Sequence, residues 1–319
     1  MYTVGSAMQS TRTDSRLNRL GRRIRMNLGL YLLLLPSVIY LLVFCYAPMY
    51  GVIIAFKAYK PFRGILGSEW VGLYQFQRFF AQSSVWTIIL NTLRLSIYSL
   101  IAGFPIPIIL ALCLNSCRFS KFKSLTQTIT YAPHFISTVV LVGMLNVFFS
   151  PSMGIVSTFL HKLGLLSGPL MTLLNEKAFS HLYVWSGVWQ SMGWSSIIYL
   201  AALSGVDISL HEAAVVDGAN KLQRMWHIDL PGIIPTIVIL LILNCGGILN
   251  VGFEKDYLMQ NSMNLNSSEI ISTYVYKVGL LNSQYSYSTA IGLLNSVINL
   301  ILLITVDRTA KSLGQTGLF

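Results

Sequence analysis

EAAVVDGANKLQRMWHIDLP, from Glu212 to Pro231, is the stretch on which the fold turns. Mixed and partly charged, it separates two long apolar runs. Just ahead of it, Ser209-Leu210-His211-Glu212 has the Ser-x-x-Glu form of a capping box, in which Ser209 and Glu212 satisfy each other's free amides. The pattern predicts a short helix beginning there and running through Ala213, Ala214, Val215 and Val216. Asp217-Gly218 predicts a sharp turn, since Gly218 can take the positive φ that a side chain resists. A second helix is expected from Ala219, with Pro231 marking the start of the next apolar run. An ordinary solvated loop would explain a capping Glu212. It would not explain a compact two-helix unit where a short linker suffices.

Outward from this hairpin the chain is apolar. Hydrophobic residues make up 54% of the 319 and charged residues 10%, against about 25% charged in soluble domains. A polytopic membrane protein follows. The net charge of +11 does not imply nucleic acid, because Arg12, Arg16, Arg19, Arg22, Arg23 and Arg25 crowd just ahead of the first apolar run. That is the flank the positive-inside rule places in the cytoplasm. Cys45, Cys113, Cys117 and Cys245 lie in or beside apolar runs without metal-ligand spacing, so buried thiols are expected.

Six spans are expected, at about 28–56, 86–114, 125–149, 179–203, 233–251 and 289–306, each long enough to cross a core needing about 20 residues. The first exceeds a signal-peptide core and lacks a small-residue cleavage site, so it reads as a retained span that Pro36 and Pro48 bend or end. Arg94 falls near the outer end of the second and can snorkel to the headgroups. The connections 57–82, 150–178 and the polar 252–285 are expected outside. The basic turn with Arg118, Lys121 and Lys123, the hairpin and a short tail with Arg308 and Lys311 are expected inside. With both termini cytoplasmic, 13 of the 22 Lys and Arg fall on the inner side. The chain divides into a basic tail, 1–27, and a single transmembrane domain, 28–319, carrying the cytoplasmic loop 204–231.

Absences narrow the function. Apart from Arg94 in the second, these spans hold no Asp, Glu, Lys or Arg, whereas ion-coupled carriers usually need an intramembrane ionisable group. No Gly-x-x-x-x-Gly-Lys-Ser/Thr phosphate loop occurs, so the chain supplies no P-loop ATP site, and a transporter without a visible energy source needs a partner that hydrolyses ATP. Neither a Gly-x-Ser-Gly turn nor His-Glu-x-x-His is present; Ser186-Gly187 and Ser204-Gly205 lack the leading Gly. His134, His161, His181, His211 and His227 are scattered without metal-type neighbours, and His134 reads as a packed polar group. No cofactor, metal or catalytic residue is expected.

Glu212-Ala213-Ala214, Asp217-Gly218-Ala219 and Ile228-x-Leu230-Pro231 resemble the "EAA" loop of binding-protein-dependent ABC importer permeases, with Met225 standing where the family usually carries an aromatic. Asn115, Arg118, Tyr131-Ala132-Pro133-His134-Phe135 and Ser150-Pro151 are similar to the carbohydrate-uptake, maltose-type branch. So is Val251-Gly252-Phe253-Glu254-Lys255 with Ile271-Ser272-Thr273-Tyr274-Val275-Tyr276, nearest the oligo- and polysaccharide permeases. The resemblance covers nearly everything after about residue 28.

It implies an all-α permease in a bacterial cell membrane, working by alternating access. A second homologous permease, an ATP-binding cassette dimer and an extracytoplasmic solute-binding protein would be its partners, and a carbohydrate its cargo. Glu212, Ala213, Ala214, Asp217 and Gly218 would form the joint with the ATPase. In the maltose-importer relative the sugar touches the spans on either side of the hairpin. Trp189, Gln190, Ser191 and Trp194 are the matching candidates before it, and Asn244 and Asn250 those after it. Gln190 and Trp194 share a helix face at i, i+4. Rings stack on sugar faces and amides bind hydroxyls, although interfacial tryptophans and helix-joining asparagines would look the same. A permease of the same architecture for a non-sugar solute, such as glycerol phosphate or a peptide, is the alternative. A stand-alone secondary carrier is the weaker one.

Overall fold

A computed structural model describes residues 26–151, 153–164, 175–312, 314 and 317. The basic tail and its six arginines lie outside the described residues. Helices dominate. The longer ones are α1 (Leu28–Phe56), α2 (Tyr74–Phe80), α3 (Val85–Asn115), α4 (Ser120–Phe135), α5 (Thr138–Phe148), α6 (Ile155–Lys162), α7 (Glu176–Leu203), α8 (Ile208–Val216), α9 (Lys221–Gly246), α10 (Phe253–Met259), α11 (Ile271–Tyr276) and α12 (Tyr285–Ser312). A small antiparallel ribbon pairs Lys57 with Trp70 and Ala58 with Glu69.

Four helices, α1, α3, α9 and α12, are long and apolar enough to cross a membrane, and up to six spans result if two bent pairs are each counted. α9, at 26 residues, reaches ~39 Å at about 1.5 Å per residue, more than the ~30 Å hydrocarbon core. α7 reaches this standard only together with α8, because Ser180, Ser186, Gln190, Ser191, Ser195 and Ser196 dilute its apolar surface. That composition fits its position. α7 is the hub against which α3, α4 and α9 pack.

The expected third span, 125–149, is not one helix. α4 and α5 meet at 99°. Pro133 tightens the end of α4 into a 3₁₀ turn, and Ile136 is extended. Ser137 then restarts the chain, its hydroxyl accepting from the Val140 amide at 3.3 Å. In α1, by contrast, Pro36 lies inside the helix and Pro48 begins its next turn, the backbone loosening into a π stretch at Leu41–Tyr46 without stopping. The fifth helix runs from Lys221 to Gly246 rather than 233–251. The last, expected at 289–306, runs from Tyr285 to Ser312 and takes in Arg308 and Lys311.

The polar segment 252–285 is packed rather than looped. Met259 and Ile270 join Leu95, Leu141, Phe179 and Tyr183 in one core cluster. Ile271 and Tyr274 join Phe79, Val85, Ile88 and Tyr287 in another. Part of its polarity is paired within the protein: Gln260 donates to Asp256 at 2.8 Å and to Thr273 at 3.0 Å, and Asn91 donates to Asn266 O at 2.7 Å, while Asp256 Oδ1 and Gln260 Oε1 are buried without a partner. Adjacent Lys255 and Asp256 are both buried. Lys255 Nζ donates instead to Tyr183 O on α7 at 2.7 Å. Burial pushes the Lys255 ammonium down to about 8. It pushes the Asp256 carboxyl up to about 8. A third cluster, with Ile108, Ala111, Leu112, Tyr199, Leu203 and Ile233, lies toward the hairpin.

Candidate translocation cavity and coupling hairpin

The hairpin follows a 78° bend between α7 and α8. Its first helix begins at Ile208, earlier than the Ser209–Glu212 capping box implied. Asp207 is the cap, its carboxylate accepting from the Ser209 amide at 2.9 Å. That hydrogen bond holds the Asp207 carboxyl below its ordinary value. The reciprocal box exists at the second helix, where Asn220 and Gln223 exchange bonds of 2.7 and 2.9 Å.

Between them Gly218 has φ +79°. The Gly218 amide donates to Val215 O at 3.0 Å and the Ala219 amide to Ala214 O at 2.8 Å. These are the paired bonds of a Schellman ending, which requires the left-handed residue that glycine supplies. Glu212, Ala213, Asp217 and Gly218 are exposed and Ala214 half-buried. Ile208, Val215, Val216 and Leu222 are also exposed, Val216 at 87%.

One residue that the sequence pattern gave no reason to single out holds the hairpin to the body. Asp229 is buried in the π turn Met225–Asp229 of α9. His211 Nε2 of α8 lies 3.2 Å from its Oδ1, and Asn115 Nδ2 at the end of α3 donates to the same oxygen at 3.2 Å. A cavity of about 180 Å³ surrounds the contact, with Lys221 and Arg224 in its wall.

A cavity of about 630 Å³ opens among α3, α7, α9 and the chain after α9. Ser191, Trp194, Asn244 and Asn250 line it, joined by Ser96, Ser99, Tyr183, Ser195 and Tyr199, which the sequence reading did not select. Among the described residues no charged side chain lines it. Trp189 and Gln190 are not in its wall. Gln190 Nε2 donates to Ile136 O at 2.8 Å and so satisfies the carbonyl freed at the α4–α5 break.

Gln190 and Trp194 do share a face, and it meets this break. The Trp194 ring stacks on His134, centroids 4.5 Å apart and planes 4° apart. His134 thus packs on Trp194 while the residue stays exposed overall. The approach is permitted by Gly193, where a Cβ would fall on the backbone carbonyl of Thr130.

Residues 103–315 match the family described as "Binding-protein-dependent transport system inner membrane component". The chain is 46% identical over 290 residues to the polygalacturonan/rhamnogalacturonan transport system permease protein YteP of Bacillus subtilis, covering 91% of this chain and 90% of that protein. It is 30% identical over 290 residues to the arabinooligosaccharides transport system permease protein AraP of Bacillus subtilis, covering 89% and 90%. Among solved structures, a chain of a bacterial alginate ABC transporter, in complex with alginate pentasaccharide-bound periplasmic protein, superposes with a TM-score of 0.86. That chain is 37% identical, with 94% of this chain and 100% of that chain covered. On this evidence the chain belongs to the inner-membrane permease components of binding-protein-dependent transport systems.

Proposed function

We propose that this chain is the permease subunit of an ATP-driven importer for carbohydrate chains, oligosaccharides or polysaccharide fragments. It performs no bond chemistry and moves its cargo by alternating access in a bacterial cell membrane. Six spans, counting the bent pairs, put both termini in the cytoplasm. Residues 28–319 form the transmembrane domain, with 204–231 as its cytoplasmic coupling loop. Glu212, Ala213, Ala214, Asp217 and Gly218 meet an ATP-binding cassette subunit. A second permease completes the pathway, and an extracytoplasmic binding protein loads it.

The observation that carries this reading is mechanical. The hairpin joins the two helices that contribute Trp194 and Asn244 to the cavity, α7 leading into it and α9 starting as its second arm. A push on α8 therefore reaches α9 through the Gly218 turn and the His211–Asp229 contact, and α7 through the short link 204–207. The exposed Ile208, Val215, Val216 and Leu222 form an apolar knob of the kind a partner covers.

Names given to the relatives favour a saccharide cargo, and the cavity's tryptophan, tyrosines, asparagines and serines suit one. Trp194 and Tyr183 offer ring faces, while Asn244 and Asn250 offer amides for hydroxyls. The test is reconstitution of the chain with its co-purifying partners in proteoliposomes. Saccharide uptake is expected only with internal ATP and the binding protein. Uptake by the chain alone, or driven by an ion gradient without ATP, would overturn the reading.

A further inference from the structure

A second cavity, of about 770 Å³, opens beside α2, α11 and the start of α12. Small-molecule sites run from about 300 to 1,000 Å³. α2 follows the first span and α11 precedes the last, so this cavity lies at the end of the helix bundle away from the hairpin. With the hairpin cytoplasmic, it faces the extracytoplasmic side.

Its wall is prearranged. Gln82 Oε1 accepts from the hydroxyls of Tyr274 at 2.7 Å and Tyr287 at 2.8 Å. The Arg78 guanidinium lies over the Tyr287 ring, 4.5 Å from its centroid, and Nη2 donates to Gln284 Oε1 at 2.8 Å. Stacking and one amide bond hold the fork while leaving most of its five donors unused. Among the described residues no carboxylate forms an ion pair with Arg78. Tyr74, Gln77 and Asn282 complete a rim of aromatic and amide groups.

We propose that this cavity binds a carboxylated sugar unit, a uronate, with Arg78 holding the carboxylate and the amides and phenols holding the hydroxyls. A guanidinium with no carboxylate partner among the described residues can take one bidentately. The 630 Å³ cavity, with no charged lining, has no group that tells an acid sugar from its neutral ester. The charge of an acidic chain is read at Arg78, before the chain enters the membrane. This inference rests on the saccharide reading above and narrows it to acidic chains.

The experiment uses the complete permease–ATPase complex in nanodiscs without binding protein, titrated with trigalacturonate and with its methyl ester. The wild type is expected to bind the acid at least tenfold more tightly than the ester. Arg78→Gln should reduce the acid to the level of the ester, and Arg78→Lys should keep part of the difference. Equal affinities in the wild type, or an unchanged preference in Arg78→Gln, would overturn the proposal. So would an effect of Arg78→Gln confined to docking of the binding protein, since the carboxylate would then be a protein side chain. A parallel uptake assay separates the two levels. Wild-type proteoliposomes that import saccharide while Arg78→Gln shows no loss of acid preference contradict the uronate site alone, and proteoliposomes that import no saccharide contradict the transport reading.

Discussion

His211 Nε2 and Asp229 Oδ1 lie 3.2 Å apart, joining the short helix of the hairpin to the foot of α9. Because Asp229 is buried and shares its oxygen with Asn115, the hairpin, α9 and α3 meet at one atom. If the proposed coupling holds, a knob so fixed would pass displacement on instead of absorbing it. His211→Ala leaves the carboxylate with one partner, a loss of about 1–3 kcal/mol for a buried polar group. The expected result is roughly 10- to 100-fold faster amide exchange across 208–220, with little change in α3 or α7. Unchanged protection would show that the contact does not hold the hairpin.

Gly218 sets the angle of that knob. Valine at φ +79° costs about 1–2 kcal/mol in backbone strain and opens the Schellman bonds to Ala214 and Val215. Gly218→Val is expected to insert into the membrane normally but to lose ATPase assembly or uptake. Gly218→Asn, which tolerates the left-handed region, should retain more of both. Transport assays on the two variants check this, and equal activity would contradict it.

Gly193 lets α4 touch α7. Gly193→Val drives a side chain into the Thr130 carbonyl, and overpacking of this kind costs about 1–3 kcal/mol. The His134–Trp194 stack and the Gln190 bond to Ile136 should separate, and tryptophan emission should shift. Trp194→Ala, which removes only the ring, should impair uptake while leaving co-purification of the ATPase intact. Loss of the ATPase would take Trp194 off the substrate path.

Asp256 makes the packed cap of 252–285 sensitive to pH. Its folded-state value, raised to about 8 by burial, means the native state keeps a proton that the unfolded chain gives up near the ordinary carboxyl value of about 4. Its contribution to stability is full below about pH 4 and is lost as pH rises to about 8. Lys255 acts in the opposite sense above about 8, because its lowered value favours the native state as pH rises toward the ordinary lysine range. Asp256→Asn should therefore flatten the fall in melting temperature between about pH 5 and 8, and the slopes of wild type and variant check it.

The apolar runs and the hairpin turn were readable because each rests on a local cause. Long unbroken apolar stretches need a nonpolar surround, and Asp217-Gly218 needs a left-handed residue. What escaped depended on partners distant in sequence. The bend at Ile136 is stabilised by Gln190, fifty-four residues later, so 125–149 looked like one helix. Segment 252–285 reads in the sequence only as a polar outer connection, because its packing depends on Gln260 bridging Asp256 and Thr273 and on distant Asn91 and Tyr183. Asp229 gave no local signal, since its meaning comes from His211 and Asn115. In the cavity, Ser191, Trp194, Asn244 and Asn250 came from the resemblance to the maltose importer, which also pointed to Trp189 and Gln190 outside the wall, whereas Tyr183 and Ser96 depend on how α3 crosses α7.

The most direct measurement places a cysteine at the exposed tip of the hairpin, Val216→Cys, and cross-links the complete complex in native membranes. The expected product joins this chain to the ATP-binding cassette subunit, with a yield that changes when ATP is added. A product with the extracytoplasmic binding protein, or labelling of the cysteine by an impermeant reagent from the extracytoplasmic side, would contradict the coupling role of the hairpin.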